Sequence, residues 1–156
     1  MAQDYTPFGL TDKVNKHLTT YSNELALTVV FESGVVHLVD FPEVYKALPE
    51  YVQSFVKQLP TVWDESKMIY GYPGRDVVLA RRSGEKWFIG GINGEMTDKA
   101  IILDLDFLPE GKSYTAKMIT DGVDGKSFIA NEISVKKGDR LPVKMLDAGG
   151  FSAVVE

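Results

Sequence analysis

Acidic side chains are plentiful in this chain, among them Glu24, Glu32, Asp40, Asp64 and Glu65, and paired carboxyls are common carriers of general acid–base chemistry. Their positions point to other work. Glu24 and Asp40 fall where helices begin. Asp64 and Glu65 are adjacent at the start of a strand, where neighbouring side chains point to opposite faces, so they do not form a facing pair. The two histidines, His17 and His37, are widely separated, with no carboxylate or second ligand obvious nearby in sequence. A metal site or a catalytic triad built on either would need an unusual coincidence of folding. There is no cysteine, which excludes disulfides, thiolate catalysis and Cys-ligated zinc. Arg81-Arg82 offers cationic charge, but arginines on a strand more often pair with acids or cover apolar surface with their stems. Gly149-Gly150 reads as a turn, since no Gly-x-x-x-x-Gly-Lys pattern accompanies it.

The aromatic residues Trp63, Trp87, Tyr70 and Tyr72 form a second set. Exposed aromatic faces can stack on the C–H surfaces of sugars, whereas buried ones are core material with a large apolar payload. Trp87 follows a tight turn in Lys86-Trp87-Phe88-Ile89, where covering a core is its simpler task. Both uses stay open for the set.

The elements that would position these residues change period near Pro60. Before it the pattern is helical. Ser22 is placed to cap a helix, Glu24 complements the positive end of its dipole, Leu25, Leu27, Val29, Val30 and Phe31 follow, and Gly34 supplies a stop. This helix is apolar around much of its circumference and calls for burial on more than one side. Asp40, Pro42 and Glu43 spell a capping box for a second helix. Pro49 restarts or kinks that segment, and Val44, Leu48, Val52, Phe55, Val56 and Leu59 make a one-sided stripe that Pro60 ends.

Beyond Pro60 the period is two. Segments 63–70, 76–82, 86–92, 99–105, 113–119, 128–136, 141–146 and 151–155 read as strands, with Gly- and Pro-containing turns between them. Short strands without intervening helices imply antiparallel pairing. The expected fold is mainly β, an antiparallel β-sandwich of about eight strands preceded by two or three helices that pack on it.

Composition narrows the function classes. With 44% hydrophobic and 25% charged residues, the 156-residue chain can bury a core. The net charge of −5 is mixed along its length without a basic stripe, which argues against nucleic acid. No run approaches a membrane span, so no membrane partner is expected and the chain reads as soluble. The N-terminal residues lack the basic and apolar regions of a signal peptide.

Four motifs follow one another in fixed order: Asp4-Tyr5-Thr6-Pro7, Asn23-Glu24-Leu25-Ala26-Leu27-Thr28-Val29-Val30-Phe31-Glu32-Ser33-Gly34, Pro60-Thr61-Val62-Trp63-Asp64-Glu65 and Ala80-Arg81-Arg82-Ser83-Gly84-Glu85-Lys86-Trp87. Together they closely resemble the C-terminal end of glycoside hydrolase family 97, whose members are α-glucosidases and α-galactosidases. The resemblance implies that residues 1–60 are a remnant of a (β/α)8 barrel, its last strand and following helices. It implies that residues 61–156 are the C-terminal β-sandwich. The family's catalytic carboxylates and calcium ligands lie upstream of the first motif, so this chain is expected to carry no catalytic residue and no cofactor site, and to be inactive alone. Asp4 and Tyr5 would line the sugar pocket in a complete enzyme. The implied partner is the catalytic barrel. With that barrel absent, Leu25, Leu27, Val29, Val30 and Phe31 are expected to form an exposed patch that drives self-association. The alternative implied by the aromatic set is a module binding α-linked oligosaccharide. Family members are usually periplasmic in Gram-negative bacteria. Two positions depart from the family pattern: Asn23 stands where His is common, and Val39 where Ala is common.

Overall fold

A computed structural model describes residues 6–12 and 16–156. In chain order its elements are β1 (Thr6–Phe8), α1 (Tyr21–Val30), β2 (Val36–Leu38), α2 (Pro42–Lys46), α3 (Glu50–Gln58), β3 (Glu65–Tyr72), β4 (Asp76–Ser83), β5 (Lys86–Asn93), β6 (Lys99–Asp104), β7 (Tyr114–Asp121), β8 (Phe128–Val135), β9 (Arg140–Met145) and β10 (Gly150–Val155). All eight strands read from the alternation are present. Six of them form one antiparallel sheet in the order β3-β4-β5-β10-β7-β8, and β6 pairs with β9. Strand β1 pairs in parallel with β2, a short strand that the sequence reading did not anticipate.

The large sheet separates two cores. On one face Val78, Ala80, Trp87, Ile89, Tyr114, Ala116, Met118, Phe151, Ala153 and Val155 meet Ile101, Leu103, Leu141, Val143 and Met145 of the β6–β9 pair. On the other face Phe88, Ile119 and Val154 meet Leu25 and Val29 of α1 and Val52 and Phe55 of α3. Strand β10 is central and covered on both sides, so all its residues are buried and it shows no polar alternation.

Two adjacent glycines in β5 let both layers close. A Cβ on Gly90 would stand 2.7 Å from the Cβ of Val29 in α1, and one on Gly91 would stand 2.2 Å from the Phe151 ring. Here glycine is required by close approach from opposite faces.

The N-terminal elements correct several expectations. Helix α1 is capped by Thr20, whose hydroxyl accepts from the Asn23 amide at 3.2 Å; Ser22 lies inside the helix. The helix ends where Phe31 turns extended, before Gly34. Asp40 forms no capping box. Its carboxylate instead accepts from the Leu10 and Thr11 amides and the Thr11 hydroxyl, tying the chain after β1 to the chain after β2. Pro42 and Glu50 open two separate short helices, α2 and α3.

The expected exposed patch on α1 is also corrected. Leu25 and Val29 are fully buried, and Leu27, Val30 and Phe31 are half-buried. The helix is apolar because it lies flat on β5 and β10, the two central strands. Burying a Leu or Val side chain in this way contributes roughly 1.5–3 kcal/mol.

Candidate functional site

The aromatic set is divided by the fold. Trp87 is 2% exposed, and its ring meets Phe107 edge-on at 4.8 Å inside the sandwich core, so it presents no face to a ligand. Trp63 is half-buried against the helix-side core, edge-on to Phe88 at 5.4 Å. The Arg81 guanidinium lies 5.7 Å from the centre of its ring. Only Tyr70 and Tyr72 reach solvent freely, two residues apart on the edge strand β3. Asp4 and Tyr5 lie outside the described residues.

The acids act as fasteners. Asp64 accepts from the Gly84 amide at 2.8 Å and pairs with Arg82 at 3.3 Å. Glu65 pairs with Arg82 and with Lys67 at 2.9 Å, and these cations hold its carboxyl below the ordinary range. Both therefore close the β3–β4 hairpin. Glu24 accepts from the Thr19 hydroxyl beside the start of α1. Glu32, exposed at the end of α1, contributes its charge to the surroundings of Arg81.

Contrary to expectation, His17 does have a carboxylate partner close by in sequence, Asp12, five residues before it. Asp12 accepts from its Nδ1 at 2.8 Å and from its backbone amide at 2.9 Å, and these bonds hold the Asp12 carboxyl down at about 2. Among the described residues, no group of three or more His, Asp or Glu is placed to hold a metal.

Three polar side chains fix the helix on the sheet: Asp121, which lies outside every motif, and Asn23 and Arg81, which lie within two of them. Asp121, at the end of β7, accepts from the Thr20 hydroxyl at 2.8 Å, the Ser22 amide at 3.0 Å and the Gly150 amide at 3.3 Å. It thereby joins the N-terminus of α1 to two strands, with its charge at the positive end of the helix. Burial nonetheless raises its carboxyl above the ordinary value, against the lowering by those hydrogen bonds. Asn23 adds a bond from its side-chain amide to the Gly149 carbonyl at 3.1 Å. At the other end of α1, Arg81 donates to the Val30 carbonyl at 3.3 Å, serving one of the carbonyls a helix leaves unpaired. Its Nε and Nη1 are buried without a hydrogen-bond partner, and burial lowers its pKa. Asp121 sits 99 and 101 residues from its partners at the start of α1 and 29 from Gly150, Asn23 sits 126 residues from Gly149, and Arg81 sits 51 from Val30, so no local pattern marks these contacts.

A groove of about 390 Å³ runs between α3 and the helix-side surface of β7 and β8. Phe55, Ile119 and Val154 form its floor, and Tyr51, Lys117 and Glu132 stand on its rim.

This arrangement is a β-sandwich with a helical roof, in which the acids described above fasten elements together. Residues 62–156 match a family model described as glycosyl-hydrolase 97 C-terminal, oligomerisation. The chain is 38% identical over 141 residues to a retaining alpha-galactosidase of Bacteroides thetaiotaomicron, covering 88% of this chain and 21% of that protein. It is 33% identical over 153 residues to a probable retaining alpha-galactosidase of Streptomyces bingchenggensis, covering 98% of this chain and 23% of that protein. Among solved structures, a glycoside hydrolase family 97 enzyme from a Pseudoalteromonas species, in complex with acarbose, superposes with a TM-score of 0.84 at 27% identity, covering all of this chain and 26% of that one.

The chain belongs to glycoside hydrolase family 97 and corresponds to the family's C-terminal region. It spans about a fifth of the length of these curated relatives.

Proposed function

We propose that this chain is the supporting and assembling part of a family 97 α-glycosidase, with bond cleavage carried out by a catalytic barrel outside these residues. The observation that carries this reading is the occupation of the acids. Hydrolysis of a glycosidic bond needs two carboxyl groups roughly 5–10 Å apart, facing one another across the sugar. Asp64, Glu65 and Asp40 instead spend their oxygens on Arg82, Lys67 and backbone amides. In this reading residues 1–60 are the last barrel strand and its helices, Asp4 and Tyr5 lie at the mouth of the sugar pocket, and calcium is held by barrel residues. The parent is exported to a periplasm. The test is hydrolysis of p-nitrophenyl α-glucoside and α-galactoside by the purified chain. No release above the uncatalysed rate is expected, and enzyme-like turnover would overturn the reading.

A second reading is favoured by the exposure of Tyr70 and Tyr72 on one edge strand. Two rings so placed offer a short platform for an α-linked oligosaccharide. Calorimetry with maltooligosaccharides and galactosides decides it. Heat that disappears in Tyr72→Ala supports this reading, and no heat at millimolar sugar removes it.

A further inference from the structure

Strand β8 differs from the rest of the sheet. Six consecutive residues, Ile129 to Ser134, are exposed. Among the described residues its only strand neighbour is β7. Sheet edges are ordinarily blunted by a bulge, a proline, a lysine or a covering loop, because free N–H and C=O groups invite another strand. The opposite edge, β3, follows that rule. Its pairing is irregular between Met68 and Tyr70, Gly71 sits at φ 133°, and Lys67 interrupts it. Strand β8 pairs regularly from Val135 to Phe128 and contains no Pro, Gly or Lys, and its one charge is Glu132.

The direction of its free backbone groups follows from the register. The Gly122 amide donates to the Ser127 carbonyl at 2.8 Å, which makes those two residues a hydrogen-bonded pair at the start of the β7–β8 ladder. Such pairs alternate along an antiparallel ladder. Ile129, Asn131, Ile133 and Val135 therefore bond to β7, while Phe128, Ala130, Glu132 and Ser134 turn their backbone groups outward. The Tyr51 hydroxyl donates to the Phe128 carbonyl at 2.9 Å, as that direction requires. The side chains of Ile129 and Ile133 share the sandwich face with Val135. The β6–β9 pair leaves them 45% and 39% exposed, respectively.

We propose that this edge is where a second copy of the chain docks, pairing β8 antiparallel to β8 about a two-fold axis through Asn131. The proposal rests on the assembling role above and names its surface. Antiparallel partners must both turn outward or both inward, so residue numbers facing each other sum to an even value. For a strand running from Phe128 to Val135, the two such registers with greatest overlap centre on Asn131 and on Glu132. The second sets Glu132 opposite itself, a like-charge pair at close range. The first sets Ala130 opposite Glu132 of the second copy and Ile129 opposite its Ile133, on both sides of the axis. The four exposed isoleucines then cover one another, in the close spacing of a non-hydrogen-bonded pair. A pairing in which each copy presents the same patch closes on itself, which suits a soluble dimer. The outermost pair forms once Tyr51 releases the Phe128 carbonyl.

The chain has no cysteine of its own, so the axis can be located by cross-linking. Asn131→Cys, Glu132→Cys and Ile129→Cys are exposed single substitutions, each checked for retained fold by circular dichroism. Residues that face themselves across an antiparallel non-hydrogen-bonded pair bring their Cβ atoms within disulfide reach. Under mild oxidation Asn131→Cys is expected to give covalent dimer at least about tenfold faster than the other two variants. Equal rates for all three, or fastest reaction by Glu132→Cys, would overturn the proposed pairing. So would a chain that sediments as a monomer at every concentration. Neither result would bear on where hydrolysis occurs, which the p-nitrophenyl assay reads separately.

Discussion

The two faces of the six-stranded sheet are covered by different means. The sandwich face is closed by β6 and β9 through apolar contact of alternate residues along each strand, helped by an ion pair between Lys99 of β6 and Asp76 of β4 and a hydrogen bond from the Asn93 side chain to the Leu146 carbonyl. The helix face is closed by α1 and α3, and there polar groups do the locating: Asp121 and Asn23 at one end of α1, Arg81 at the other. On both faces apolar residues fill the layer and a few polar groups set its position, with more of them gathered at the two ends of α1. The helical segment shares the second core with the outer face of the six-stranded sheet, since Leu25, Val29, Val52 and Phe55 pack with Phe88, Ile119 and Val154.

Truncating each face in turn sharpens this comparison. Phe151→Ala on the sandwich face opens a cavity beside Gly91 and is expected to cost about 3–5 kcal/mol in denaturant unfolding. Leu25→Ala on the helix face is expected to cost about 2–5 kcal/mol. If α1 merely leaned on the sheet, that substitution would change stability very little and the shared core would be wrong. Asp121→Ala leaves the Ser22 and Gly150 amides without their acceptor and is expected to cost about 1–3 kcal/mol. Arg81→Met removes one long hydrogen bond but also the desolvation of a partly unpaired guanidinium. Stability within about 1 kcal/mol of wild type is expected, and a larger loss would mean that the fixed point at the end of α1 is stronger than its geometry suggests.

Acid should act on the fasteners more than on either core. Asp12 at about 2, together with Glu65, Glu95, Asp98, Asp124 and Glu156, has its carboxyl held below the ordinary 3.8 or 4.5 by amide, imidazole, hydroxyl, lysine and arginine partners. Each such group contributes stability above its ordinary value that disappears as pH falls through the lowered one. Asp121, raised by burial, works in the opposite sense and gains as pH falls. Unfolding followed from pH 7 downward should show stability declining mainly below the ordinary carboxylate values of 3.8 and 4.5. Asp121→Asn should make the decline steeper, by removing a shift that opposes it.

How far the sequence could be read follows the same division. Alternation and turn residues placed all eight strands of the sandwich to within a residue or two, because each strand carries its own period. The helices were legible as helices, but their caps were not. Ser22 and Asp40 have the right type for caps, yet Thr20 takes the first role and Asp40 is drawn to Leu10 and Thr11 across 30 and 29 residues. The apolar girth of α1 signalled burial correctly, but periodicity does not say against what, and the partner is β5 with β10. Trp87 and Tyr72 belong to one aromatic set in sequence and to interior and surface in the fold, because only pairing order decides which strand is central. The family motifs identified the region, while the exposed edge of β8 emerges only from strand order and register.

The proposed assembling role is put to its hardest test by sedimentation equilibrium of the purified chain. Wild type is expected to show a concentration-dependent dimer between about 1 µM and 1 mM. Ala130→Pro removes an outward N–H without touching the β7 ladder and should raise the dissociation constant at least about tenfold. Met68→Lys on the β3 edge should leave it unchanged. A chain that stays monomeric throughout that range, or a dimer indifferent to Ala130→Pro, would contradict the account.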